Sequence, residues 1–122
     1  MHKEQRAAAA RVAPMEGLTI NHTGAVAESG IIGELDVSAH KKNFLTGVCT
    51  HTSESAMNLE VYKNEVLGEN LVACYSLYDE SGATEFHIYR DYMPDTDKLI
   101  FCIAFNKNAP REANVTITLT AN

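Results

Sequence analysis

The chain has 122 residues, 45% of them apolar, three cysteines and a formal net charge of −6. That length holds one domain rather than two, and it buries roughly two-thirds of its unfolded surface, enough for a core without metal or disulfide staples. The acidic balance argues against nucleic acid as a partner, because neutralising phosphates needs clustered Lys and Arg, and no window approaches the run of about 20 apolar residues that spans a bilayer.

Residues 2–13, HKEQRAAAARVA, predict a helix, with four consecutive alanines and a stop at Pro14 and Gly17. Lys3, Arg6 and Arg11 stand against Glu4, so residues 1–14 carry +2 and the rest of the chain −8. The expected organisation is a basic helical arm over 1–14 and one β-domain over 15–122. The arm is too short for a stable isolated helix.

After Gly17 the hydrophobic period changes to two. Ile31, Gly33, Leu35 and Val37 are expected on one face of a strand. Met57, Leu59 and Val61 alternate with polar residues over 57–63, and Val115, Ile117 and Leu119 alternate with threonines over 115–120. Less regular strands are expected near 18–26, 43–50, 70–78 and 84–92. Residues 99–105, LIFCIAF, are apolar without interruption, as in a central strand covered on both sides. Phe101, Ile103 and Phe105 should be the least exposed residues. Turn residues fall between the runs, including Gly68-Glu69-Asn70, Asp79 to Gly82 and Pro94 to Asp97. About eight short strands without intervening helices predict an all-β fold, an antiparallel β-sandwich or jelly roll.

Sites for chemistry are sparse. Cys49, Cys74 and Cys102 lie in apolar strand patterns without zinc-type spacing, and are expected as buried free thiols, with a Cys49–Cys102 bridge as the alternative. Cys49 and His51 share a strand face, but no second pair closes a metal site, so His51 is expected to face solvent and no metal is assigned. Residues 91–97, DYMPDTD, could offer oxygens to calcium but lack the glycine and distal Glu of an EF-hand loop. There is no nucleophile elbow, phosphate loop or dinucleotide fingerprint, so neither an enzyme nor a cofactor is expected. Two Asn-x-Thr sequons, at Asn21 and Asn114, favour an extracellular or particle-bound setting without fixing the compartment.

Tyr62, Tyr89 and Tyr92 are expected near a polar strand face or a turn. Exposed tyrosines bring contact area and a hydroxyl to binding surfaces. With Lys3, Arg6 and Arg11 they form the candidate interaction surface.

Residues 58–76, NLEVYKNEVLGENLVACYS, and the closing LIFCIAFN…NVTITLTAN resemble strands of the bacterial pre-peptidase C-terminal (PPC) domain family. Asn58 stands where that family has Asp, and its aromatic G-x-Y before the penultimate strand is missing. The resemblance implies a small non-catalytic sandwich appended to secreted hydrolases, and no site residues carry over. Two functions follow from the whole reading. One is a structural subunit that forms a homo-oligomer, of particle, fibre or surface-layer type. The alternative is a module that binds a carbohydrate or protein ligand.

Overall fold

The computed structural model describes residues 18–26, 30–40, 44–52, 57–77, 81–89, 93–105 and 112–121, with side chains at 52, 81, 82 and 121 excepted. The expected arm, with Lys3, Arg6 and Arg11, lies outside the described residues, as does Tyr92.

Eight strands are formed: β1 Thr19–His22, β2 Ile31–Asp36, β3 Phe44–Thr52, β4 Met57–Lys63, β5 Leu71–Leu77, β6 Ser81–Tyr89, β7 Lys98–Phe105 and β8 Asn114–Ala121. Besides them, the described residues hold only short 3-10 turns at Ser38–His40 and Gly68–Asn70. The strands make two antiparallel sheets, β1-β8-β3-β6 (sheet 1) and β2-β7-β4-β5 (sheet 2). Strand β1 pairs with β8, β2 with β7, β3 with β6 and β4 with β5. This is one long antiparallel ribbon folded over on itself, the double-sheet arrangement of a jelly roll.

The alternating patterns decide which faces meet. Leu45 and Cys49 of β3, Phe86 and Ile88 of β6, and Val115, Ile117 and Leu119 of β8 point inward from sheet 1. Leu35, Met57, Leu59, Val61, Leu99, Phe101 and Ile103 point inward from sheet 2. Phe86 bridges the two layers, its ring centroid 6.2 Å from that of Phe101 and 5.3 Å from that of Tyr75. Gly47 pairs with Phe86 across β3 and β6, and a Cβ there would run into the Phe86 ring. The ring lies where a side chain at 47 would otherwise stand.

Strand β7 is covered on both sides as expected, with Ile100 and Cys102 buried on the outer face of sheet 2. Phe105 is only partly buried, because the strand runs out of the sandwich at its end. Strand β2 departs from simple alternation. A register shift between Ile31 and Gly33 sets Ile31 opposite Cys102 on the outer face, while Ile32 packs against the core. One extra residue in a strand turns every residue before it to the other face. Strand β6 begins three residues earlier than its sequence pattern indicates, because Ser81 and Gly82 pair with Thr52 and His51.

Candidate functional site

The cysteines and His51 are placed by the same alternation. Cys49 and His51 both face the core, so the imidazole is buried rather than turned to solvent. Burial pushes the Cys49 thiol up to about 11. Cys102 also rises to about 11, through burial first and the charge of Glu60 second. Thiols held protonated in this way are poor nucleophiles at neutral pH. Cys74 is exposed on edge strand β5, contrary to expectation. The three thiols are free. Cys49 lies between the sheets while Cys102 points away from them, so a bridge has no geometry to form. Among the described residues no group of three His, Cys, Asp or Glu side chains converges to hold a metal.

The candidate tyrosines do not form one surface. Tyr62 lies on the outer face of sheet 2, half-buried, and its hydroxyl donates to Glu60 Oε1 at 2.9 Å. Burial and then this carboxylate push it up to about 12. Tyr89 lies on the outer face of sheet 1 and is 53% exposed. Its ring packs at 4.7 Å from Phe44, which stacks at 5.1 Å on His87. Beside this cluster a cleft of about 210 Å³ is lined by Val72, His87, Ile88, Tyr89 and Met93.

A second group was not legible in the sequence. In the loop between β4 and β5, Val66 is 38% and Leu67 47% exposed, and Leu71 at the start of β5 is 42% exposed. The loop is tightly tied. Glu65 N–H donates to Lys63 O, Leu67 N–H to Glu65 O and Asn70 N–H to Leu67 O, at 2.7 to 2.9 Å. Asn64, at φ 63°, accepts from Asp97 N–H at 2.9 Å and donates to Asp95 O at 3.1 Å, binding this loop to the one before β7. Asparagine tolerates that left-handed backbone better than most residues. The result is an apolar knob on a firm base, with Val72 of the cleft next to Leu71 in the chain.

The same end of the sandwich carries an open groove of about 800 Å³ lined by Glu34, Asp36, Ser38, Asn64, Asp97 and Lys98. Its charges are used locally. Lys98 Nζ donates to Glu34 Oε1 at 3.2 Å, and Asp36 accepts from the Ser38 hydroxyl and N–H, which holds its carboxyl below the ordinary 3.8.

No family model matches the chain, and no curated protein matches it. Among solved structures the chain is similar to the PRD1 vertex protein P5. They share 17% identity over 86% of this chain and 94% of that one, at a TM-score of 0.48.

Proposed function

We propose that the chain is a non-enzymatic structural subunit that assembles with copies of itself, of the particle, fibre or surface-layer type. Its support is the knob of Val66, Leu67 and Leu71. Single exposed aliphatic residues are ordinary on a soluble protein, whereas three within six residues concentrate apolar surface on one short segment, which suits a protein contact. The hydrogen bonds beneath the knob fix its shape before any partner arrives, which lowers the ordering cost of association.

The second reading, a ligand-binding module, draws on the cleft beside Tyr89. Small-molecule sites occupy about 300–1,000 Å³. At about 210 Å³ the cleft suits one protruding side chain better than a sugar, so its size favours a protein partner. Sedimentation velocity across the micromolar range tests the subunit reading. The wild-type chain should form larger species as concentration rises, and Leu67→Asp should weaken them while leaving the fold intact. A wild-type chain that sediments as a monomer at high micromolar concentration would move the assignment to the module.

A further inference from the structure

The subunit reading names the knob between β4 and β5 as one contact, and three aliphatic side chains cover too little area to hold a copy alone. Edge pairing is the obvious route, yet each of the four edges is blunted. Strand β1 has four residues, β2 carries a register shift, and β5 carries another opposite Val61 and Tyr62. On β6, the edge carries the bulky cluster of His87 and Tyr89 packed on Phe44. Short strands and bulges are how β-proteins discourage edge-to-edge pairing.

The two outer faces differ in charge. Sheet 2 presents Glu34, Asp36, Glu60 and Lys98. Sheet 1 presents cross-strand rows in which Thr19, Thr118, Val48 and Glu85 lie side by side, as do Asn21, Thr116 and Thr50. Among the described side chains of this face, Glu85 on edge strand β6 is the single Asp, Glu, Lys or Arg, and His87 lies 4.0 Å from it. In a chain of net charge −6, it is the face on which two copies can approach with least repulsion.

Its chemistry also favours burial. Threonine and valine are stiff at χ1 and lose little entropy when covered. Several of its hydroxyls already have partners. Thr116 Oγ1 donates to Asn21 Oδ1 at 2.8 Å, and Thr120 Oγ1 to Thr46 O at 3.4 Å, so excluding water does not strand them. Three strands of eight or nine residues and the four-residue β1, about 4.8 Å apart at about 3.3 Å per residue, cover somewhat under about 500 Å². Two such faces in contact bury on the order of 1,000 Å², the lower bound for a specific interface.

We propose that the outer face of sheet 1 is a self-complementary interface, on which a second copy of this chain sits face to face around a two-fold axis. This inference rests on the subunit reading. An axis running along the strands lays β6 over the partner's β1. Val48 of one copy then meets Thr118 of the other, and the two Glu85 carboxylates stay at opposite ends.

The test is sedimentation velocity of wild type, Val48→Lys and Ser76→Lys, with circular dichroism melts to show that each is folded. Val48 and Ser76 are surface positions on opposite outer faces. Val48→Lys sets two long, strongly hydrated side chains, each beside a Glu85 carboxylate, in the middle of the contact, and their bulk and desolvation should weaken self-association at least about 30-fold. Ser76→Lys should leave it unchanged. A wild type that associates while Val48→Lys associates equally well overturns the face and spares the subunit reading. A wild type monomeric throughout overturns the subunit reading, and the face with it.

Discussion

At the scale of single residues, the side of the sheet on which a cysteine falls fixes its reactivity. Cys49 and Cys102 are buried and Cys74 is exposed, so a thiol reagent should take up one equivalent from the folded protein and two more on denaturation. Three fast equivalents would mean that strands β3 and β7 open in the native state. The same burial has a pH signature. The Cys49 thiol rises from its ordinary 9.0 to about 11 on folding, so the unfolded chain releases this proton first. Its contribution to stability is intact below about pH 9 and is lost as pH rises through about 11. Urea midpoints at about pH 8 and about pH 10.5 should show the loss, and Cys49→Ala should reduce that pH dependence.

At the scale of elements, β7 carries the most burial. It lies between β2 and β4 and has both faces covered over most of its length. Phe101 packs against Phe86 and is fully buried, so Phe101→Ala should destabilise the domain by about 3–5 kcal/mol, measured by urea denaturation. That is a large share of the stability usual for a domain of this size. A loss under about 1 kcal/mol would contradict the central place of β7. The two PPC-like stretches also fall on defined elements. The first is the β4–β5 hairpin, and the second divides between β7 in sheet 2 and β8 in sheet 1.

At the scale of the whole molecule, the pairing of β1 with β8 joins Thr19 to Thr118, so the first strand has no hydrogen-bonded neighbour until the last is in place. The β2–β7 and β3–β6 pairs are nested inside it and also join residues tens of positions apart. Loop closure has to precede the contacts that reward it, and such β topologies fold in milliseconds to seconds. Stopped-flow refolding should therefore show no complete recovery of native signal in the microsecond range. The same ribbon sorts the outward side chains onto two faces of different charge, which is what makes directional assembly through one of them physically reasonable.

The sequence by itself determined the class of fold and the position of nearly every strand. Those properties rest on local alternation: Met57, Leu59 and Val61, or Val115, Ile117 and Leu119, declare their inward face whatever they pack against. It placed the described candidate tyrosines on strands but not on a common surface, because Tyr62 and Tyr89 point outward from different sheets. Only the tertiary structure decided which strands share a sheet, and from that followed most of the functional reading. The bulge in β2, the burial of His51, the exposure of Cys74 and the separation of Cys49 from Cys102 depend on pairing between distant residues. So does the charge-poor outer face of sheet 1, whose threonines come from β1, β3 and β8 and lie together only because the ribbon folds over. No periodicity within one strand records what lies beside it, and the surfaces of this protein are built across strands.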